Sequence, residues 1–407
     1  MMKINYLFTG LITAAALFGS CEADDTADIV INSTDNSVVN NNGGNTPTTP
    51  TGEQINLTGT YDSDLTLDPN NTYTITGSMI MAEGTTLTIP AGTTLNAFAG
   101  GANVYIAISQ GAKIDAQGTA DEPIVMTSGA SSARPGDWGG LILLGKAPVN
   151  SADVSAGAFA TSEIGNLKYG GVDEADNSGI LSYVRVEYSG AAADGQSENN
   201  GFSFYGVGNG TTVEYIEAFK GTDDGVEFFG GTVNANHIVV IDCEDDSIDY
   251  TEGYSGTLTD VYIRHGEEHD HGIEADGYSP DSGNNANPEY FANPIFENFT
   301  INGIGENNGL RAILLREGTQ GTFTNFVVND FQIGVQIRGD DSAGPTAQQI
   351  LDDNLNINNI AFNNVGTLLD VPAEDNSGPA FTIDQLITEG EATGTDYATW
   401  GIGWTIQ

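Results

Sequence analysis

Asp224-Gly225-Val226-Glu227-Phe228, Asp246-Ser247-Ile248-Asp249-Tyr250 and His271-Gly272-Ile273-Glu274-Ala275 are three similar pentapeptides in one stretch of the chain. The small residue in second place recurs after 22 and then 25 residues. The same frame occurs at Asn200-Gly201-Phe202-Ser203-Phe204, Asn308-Gly309-Leu310-Arg311-Ala312 and Ile333-Gly334-Val335-Gln336-Ile337. A repeat of this period is typical of a solenoid, and the short apolar runs predict strands in each repeat.

A second apolar pattern runs in step with the first. Apolar residues recur three and then five positions after Leu181, Val213, Leu258, Phe296 and Phe323. Apolar residues two apart indicate a strand with one buried face. We therefore predict an all-β solenoid, a parallel β-helix over residues 57–366. Loops are predicted to be inserted at 151–180 and 277–294, and a short helix is predicted within 343–354, with Pro345 near its start.

The last residues of the chain are predicted to close the stack of coils. Terminal repeats of a solenoid need a different outer face, so we predict a C-terminal cap over residues 367–407. Trp400 and Trp404 would then be capping aromatic side chains. Stacking against a carbohydrate is the alternative role for these two residues.

Composition limits the partners that the protein can bind. The 407 residues include 56 Asp plus Glu and only 11 Lys plus Arg, which gives a net charge of −45. Such a surface repels nucleic acid, so no nucleic-acid partner is expected. It attracts cations, although a solvated acidic face would have the same composition.

The first 56 residues are predicted to direct and anchor the protein. Residues 1–20 have the features of a signal peptide, with Lys3 before an apolar run. Leu17-Phe18-Gly19-Ser20-Cys21 resembles a bacterial lipoprotein cleavage box, which implies acylation of Cys21 and a membrane anchor. Residues 21–56 then form a disordered tether. Glu22-Ala23-Asp24-Asp25 resembles the export signal of Bacteroidota surface lipoproteins, although an ordinary acidic linker is the alternative.

The body of the chain resembles a known architecture. The segments EGTTLTIPAGTTLNA (83–97), GAKIDAQGTADEPIVMTS (111–128) and GDWGGLILLG (136–145) are similar to the first coils of bacterial surface proteins with the pectin-lyase-like fold. The segments GTDDGVEFFGGTVN (221–234) and GIEADG (272–277) resemble central coils of a Bacteroidota lipoprotein group without an established biochemical function. The resemblance implies a right-handed parallel β-helix in an outer-membrane lipoprotein. It leaves open whether the protein faces the cell surface or the periplasm.

Acidic residues recur at equivalent places in the predicted coils. Stacked coils would place Asp223 and Asp224 about 4.8 Å from Asp245 and Asp246. Carboxylates this close repel one another, and Ca²⁺ accepts six to eight oxygen ligands in flexible geometry. We therefore predict a candidate calcium site at these four residues. The alternative is turn chemistry, because Asp and Asn form Asx turns at the beginnings of strands.

Three of the four histidines lie within one short segment. His265, His269 and His271 are separated by acidic residues and one glycine. Neutral imidazoles beside carboxylates bind Zn²⁺ and similar ions, which makes the three histidines candidate metal ligands. A solvated loop is the alternative interpretation, since the spacing matches no named zinc motif.

Polygalacturonase-type glycoside hydrolases share the implied fold, and four segments of this chain are similar to their catalytic segments. The resemblance implies Asp245 as general acid, with Asp224 and Asp246 activating water and with His271 and Arg311 beside them. Three positions depart from the pattern. Thr222 stands where Asn is expected, Asp270 where Gly is expected, and Ile313 where Lys is expected.

These observations support two functional hypotheses. The first is a non-catalytic surface lipoprotein whose acidic β-helix binds a glycan, a divalent cation or a partner protein. The second is a polysaccharide hydrolase that uses the residues just named. A third possibility, an accessory to an outer-membrane transporter, rests on the predicted location alone. The missing lysine favours the first, because an acidic sugar needs cationic contacts and the surface of this protein is strongly negative.

Overall fold

The computed structural model describes residues 52–153, 157–194, 197–278, 291–307, 309–339, 345–372 and 378–407. The predicted signal peptide, the predicted acylation site at Cys21 and nearly all of the tether lie outside these residues. None of the helices within the described ranges is both long and apolar enough to cross a membrane.

Strands account for most of the described chain. The strands of the first half are β1 (Gln54–Tyr61), β2 (Leu65–Thr66), β3 (Thr72–Met81), β4 (Thr86–Pro90), β5 (Thr94–Ala97), β6 (Ile106–Ile108), β7 (Lys113–Gln117), β8 (Ile124–Ser128), β9 (Leu141–Leu144), β10 (Ala160–Thr161), β11 (Lys168–Tyr169), β12 (Gly179–Glu187) and β13 (Phe202–Tyr205). The later elements are β14 (Thr212–Phe219), β15 (Val226–Phe229), β16 (Asn234–Ile241), β17 (Ile248–Thr251), β18 (Thr257–Arg264), β19 (His271–Asp276), β20 (Ile295–Asn302), β21 (Arg311–Arg316), β22 (Gly321–Ile337), α1 (Thr346–Leu351), β23 (Leu355–Asp370), α2 (Ile383–Leu386), β24 (Ile387–Glu389) and α3 (Tyr397–Trp400).

The strands stack as a right-handed parallel β-helix, which confirms the predicted fold class. Twenty-two strands are joined in one continuous set of parallel pairings, and β10 and β11 form a separate antiparallel hairpin. Each coil has three faces. For example, β12 pairs with β7 through its first half and with β8 through its second half, while β13 continues the third face from β9.

The predicted apolar register is the register of the structure. Leu181, Val184 and Val186 pair with Val213, Ile216 and Ala218 of the next coil, and the remaining predicted triplets continue this alignment. These side chains are buried in one continuous core. A coil that the pattern did not include, with Ala235, Ile238 and Val240 facing inward, lies between the predicted second and third coils. The helix predicted near Pro345 is α1, which begins at Thr346.

A sharp corner lies in the middle of strands such as β12, whose two halves belong to two different faces of the coil. Residues with positive φ lie in the middle of consecutive strands at Tyr183, Tyr215, His237, Asp260, Asn298, Asn325 and Asn359. Positive φ turns the chain sharply, and Asn and Asp are the non-glycine residues that tolerate it best. Asn325 also donates to Asn298 at 2.8 Å, so the Asn side chains of adjacent coils are hydrogen bonded.

The alignment of one pentapeptide, the one that contains Gly309, was wrong. Gly309 was aligned with Gly272, but Arg311 pairs with His271 and Ile313 with Ile273. Ala312 therefore takes the place of the small residue, and Leu310, which the frame placed in the core, is 41 % exposed. The true register differs by three residues because it buries Ile313 and Leu315. Asn308 itself lies outside the described residues.

The two tryptophans predicted to cap the stack lie on its side instead. Trp404 packs edge-on against Tyr183 at 5.4 Å and against Tyr215 at 6.1 Å, and Trp400 contacts His237. The chain turns back after β24 and runs along the outside of β12, β14 and β16. The apolar side chains on the outer surface of those strands explain this path, since Phe219, Val239 and Ile241 need cover.

Candidate functional site

The acidic residues of successive coils meet at the beginning of one face. Asp224, Asp246 and His271 stand immediately before or at the start of β15, β17 and β19. The backbone N–H of Asp246 donates to Asp224 Oδ1 at 3.0 Å, and the backbone N–H of His271 donates to Asp246 Oδ1 at 2.7 Å. Each carboxylate thus accepts a hydrogen bond from the backbone of the next coil. The Asx turns of the alternative interpretation would instead bond within one coil.

A cavity of about 160 Å³ opens beside this column. The residues that line it share one property, a carboxylate side chain: Glu163, Glu198, Asp223, Asp224, Glu227, Asp245, Asp246, Asp249 and Glu274. The candidate calcium ligands Asp223, Asp224, Asp245 and Asp246 are therefore brought together. Glu227, Asp249 and Glu274 join them because they alternate with the buried residues of β15, β17 and β19 and point outward.

Two further carboxylates come from outside the repeats, and the sequence analysis missed them. Glu163 lies in the loop between β10 and β11, and Glu198 lies just before β13. The backbone N–H of Glu198 donates to a Glu163 oxygen at 3.4 Å, so the two segments meet over the cavity. Only their position in three dimensions identifies these residues, because neither belongs to the repeated pentapeptide.

Hydrogen bonds account for some of the carboxylate oxygens but not for all. Asn200 Nδ2 donates to Glu227 Oε2 at 2.6 Å, and Arg316 is paired with Glu274 and Asp276. Asp249 Oδ1 is enclosed by protein and has no hydrogen-bond partner within the described part of the chain. An unpaired buried carboxylate oxygen is costly, so this atom needs a ligand, a proton or water.

Burial and crowding change the acidity of these groups. Burial, reinforced by the neighbouring Glu198 charge, raises the pKa of Asp223 to about 9. Burial raises the pKa of Glu274 to about 8, with the Asp246 charge as the next cause. The pKa values of Asp224, Asp246 and Asp249 also lie well above the ordinary range, again mainly because of burial. The charged forms of these carboxylates are therefore unfavourable in this buried site, first because of desolvation and then because of neighbouring negative charges.

Three sets of side chains could each hold a cation. The sets are Asp223–Asp224–Asp245, Asp224–Glu227–Asp249 and Asp246–His271–Glu274, and within each set the ligand atoms lie within 4.8 Å of one another. The first two sets contain only carboxylates. Oxygen ligands of this kind suit Ca²⁺, Mg²⁺ and Mn²⁺.

The three clustered histidines have different surroundings. His271 joins the acidic column, whereas His265 and His269 contact each other with ring centroids 4.1 Å apart. Burial lowers the pKa of His265 to about 3, and neither of its ring nitrogens has a hydrogen-bond partner among the residues that the structure describes. His265 and His269 belong to none of the three candidate cation sets.

Arg311 lies beside His271, on the coil with the different register given above. Arg311 Nη1 donates to His271 Nε2 at 2.9 Å, and Arg311 also pairs with Asp270 at 3.4 Å. Arg311 Nε donates to Gln336, which donates in turn to Asp370. Arg311 therefore belongs to a row of hydrogen bonds that runs from coil to coil.

Three of the five residues that the resemblance assigns to hydrolysis are buried, whereas Asp245 and Arg311 are partly exposed. Asp224 is 6 % exposed, Asp246 is 4 % exposed and His271 is 3 % exposed. Glu163 and Glu198 line the same cavity. An ion can enter such a cavity, whereas a sugar ring with its flanking units needs an open cleft.

The model of the pectate-lyase-like beta helix domain matches residues 59–405 of the chain. No curated protein and no solved structure matches the chain. The matched range contains the described strands from β2 to β24 and every carboxylate of the acidic cavity. This fold occurs both in enzymes and in proteins without catalytic activity. The chain belongs to the pectate-lyase-like beta helix domain family.

Proposed function

We propose that this protein is a non-catalytic β-helix that binds a divalent cation, Ca²⁺ in the first place, in the acidic cavity. One observation carries the proposal. All nine residues that line the cavity are carboxylates, and one of their oxygens, Asp249 Oδ1, is enclosed with no partner in the described chain. A cation supplies the missing contact and removes the repulsion.

The energetics favour a cation over empty space. Two carboxylates about 5 Å apart repel by roughly 3 kcal/mol at the effective dielectric constant near a protein surface. Protons relieve this repulsion only while the pH stays below the raised pKa values. Ca²⁺ accepts six to eight oxygens without strict geometry, which suits side chains contributed by several coils and two inserted segments.

Calorimetric titration of the full chain with Ca²⁺, after treatment with a chelator, tests the proposal. Saturable binding is expected, and Asp224→Asn should weaken it at least tenfold, because Asp224 belongs to two of the three candidate sets. Asp121→Asn is the matched control, since Asp121 is exposed and lies outside the cavity. Equal binding by both variants, or none by the unaltered protein, would sink the proposal.

A polysaccharide hydrolase is the second candidate, and one observation favours it. Burial raises the pKa of Asp245, the residue that the resemblance assigns as general acid, and a general acid must hold its proton. A reducing-sugar assay on plant and bacterial polysaccharides tests this candidate. Turnover that Asp245→Asn abolishes would establish it, and no turnover on any polymer would leave the cation-binding protein.

A place at the cell surface is part of the same proposal and rests on the sequence before residue 52. Acylation of Cys21 would anchor the β-helix to the outer membrane, and the tether would hold it away from the bilayer. A glycan or an outer-membrane protein would be the partner in that setting. Incorporation of labelled palmitate that disappears in Cys21→Ser tests the anchor, and protease treatment of whole cells tests the outward orientation.

A further inference from the structure

Two of the candidate sets share one residue, which bears on the number of ions that the cavity can hold. Asp224 belongs to the set with Asp223 and Asp245 and also to the set with Glu227 and Asp249. Within each set the ligand atoms lie within 4.8 Å of one another. Asp224 is therefore common to two groups of carboxylates that have no other member in common.

The remaining ligands form two pairs at different places along the direction of the strands. Asp223 and Asp245 precede β15 and β17, whereas Glu227 and Asp249 are paired residues within those strands. One ion at the first pair would leave the second pair unneutralised. The enclosed Asp249 Oδ1 belongs to the second pair, so an ion held by Asp223 and Asp245 leaves that atom without its contact.

Charge balance also calls for more than one ion. One divalent cation neutralises two of the nine carboxylates that line the cavity. The third set adds little, because His271 already donates from Nδ1 to Asp246 and accepts at Nε2 from Arg311. Glu274 in that set is also paired with Arg316. Two all-oxygen sets remain.

We propose that the cavity holds two divalent cations side by side, bridged by the carboxylate of Asp224, with Asp223 and Asp245 on one ion and Glu227 and Asp249 on the other. This inference rests on the proposed function and makes it specific. Both ions are of the hard class that carboxylates prefer, namely Ca²⁺, Mn²⁺ or Mg²⁺. Zn²⁺ and Cu²⁺ would gain no nitrogen or sulfur ligand from either set.

The number of bound ions tests the inference. The full chain, saturated with Ca²⁺ and freed of excess ion, should carry two Ca²⁺ per molecule by elemental analysis and by native mass spectrometry. Asp245→Asn and Asp249→Asn should each carry one, and Asp224→Asn should bind both ions at least tenfold more weakly. A single ion in the unaltered protein would overturn the bridged pair and leave the proposed function standing, whereas no ion would overturn both.

A measurement without substitutions guards against variants that fail to fold. Two Mn²⁺ ions sharing a carboxylate lie about 3.5–4 Å apart, as in other two-metal sites. Electron paramagnetic resonance of the unaltered protein with two equivalents of Mn²⁺ should therefore show a spin-coupled pair. The spectrum of isolated Mn²⁺ at full loading would contradict the bridge.

Discussion

Asp246 Oδ1 accepts two hydrogen bonds from His271, one from its backbone N–H and one from its ring Nδ1–H, each at 2.7 Å. The ring is therefore the Nδ1–H tautomer, and its Nε2 is the acceptor for Arg311 at 2.9 Å. A side chain held from both sides in this way is neutral and fixed in orientation. It stands behind the lining residue Asp246, between the acidic cavity and Arg311.

The protonation of His271 is the first testable consequence. Burial lowers its pKa, the Glu274 charge opposes this, and the net direction is downward. Between pH 8 and pH 6 we expect the ring to stay neutral as the Nδ1–H tautomer, which long-range ¹H–¹⁵N correlation spectra would show. Titration with a midpoint near the ordinary value of about 6.5 would contradict the assignment. A lowered pKa in the folded state also means that stability declines as the pH falls below that value.

When no metal is present, the carboxylates of the cavity should give the free energy of unfolding the opposite dependence on pH. The pKa values of about 9 for Asp223 and about 8 for Glu274 exceed those of the unfolded chain, so the folded state keeps protons that the unfolded state releases. The free energy of unfolding should therefore fall as the pH rises from 5 to 9. Urea denaturation with a chelator present measures this slope.

Saturating Ca²⁺ should reduce the slope, because the ion binds the deprotonated carboxylates in place of protons. The accompanying proton release can be measured by calorimetry in buffers of different ionisation enthalpy. Identical pH profiles with chelator and with Ca²⁺ would argue against a cation in the cavity.

The inserted segments should respond to the same ion. Glu163 and Glu198 line the cavity from outside the coils, so a bound cation would attract both segments to it. We expect hydrogen exchange of residues 157–170 to slow at least several-fold when Ca²⁺ is added. Glu163→Gln should reduce this protection, whereas Glu174→Gln, a substitution outside the cavity, should leave it intact. Exchange unchanged by Ca²⁺ would show that the insertion does not contribute to the site.

The C-terminal segment makes a prediction about stability. Trp404 is 1 % exposed and packs on the tyrosines of β12 and β14, so Trp404→Ala should lower the free energy of unfolding by about 3–5 kcal/mol. Ile402 is 58 % exposed, and Ile402→Ala should change it by no more than about 0.5 kcal/mol. Chemical denaturation of the two variants compares them directly. Similar losses would mean that the segment does not pack as described.

Glu217 lies beneath the C-terminal segment, and its titration should make the stability of the protein depend on pH. Its oxygens accept from the backbone N–H of Ile406 at 2.9 and 3.1 Å, and burial raises its pKa to about 8. The folded state holds a proton there that the unfolded state has lost, so this contribution to stability disappears as the pH rises through 8. We compare the melting temperature of Glu217→Gln with that of the unaltered protein at each pH. The variant should gain relative to the unaltered protein when the pH is raised from 6 to 9. A difference that is independent of pH would refute this.

The sequence was informative wherever the repeat itself determined the structure. The triplets at Leu181, Val213, Leu258, Phe296 and Phe323 predicted the correct register, because apolar residues three and five apart must share one interior. The coil at Ala235 escaped notice because alanine is a weak hydrophobic signal. The frame at Gly309 failed for a related reason, since Ala312 packs where glycine was expected.

The candidate site was only partly predictable. Asp223, Asp224, Asp245 and Asp246 recur with the coil and were found, and they do line one cavity. Glu163 and Glu198 come from segments that interrupt the repeat, so their approach depends on how the insertions fold. The same holds for Trp404, whose partners Tyr183 and Tyr215 are about 190 to 220 residues earlier in the chain.

The most direct test of a cation in the acidic cavity is a crystal structure of the full chain with Mn²⁺, using anomalous scattering to locate the ions. Mn²⁺ stands in for Ca²⁺ because both prefer carboxylate oxygens. The account predicts anomalous peaks within about 2.6 Å of oxygens of Asp224 and Asp249. A crystal grown at saturating Mn²⁺ that shows no anomalous peak in the cavity would contradict the proposed cation site. Peaks only at exposed carboxylates such as Asp121 would contradict it equally.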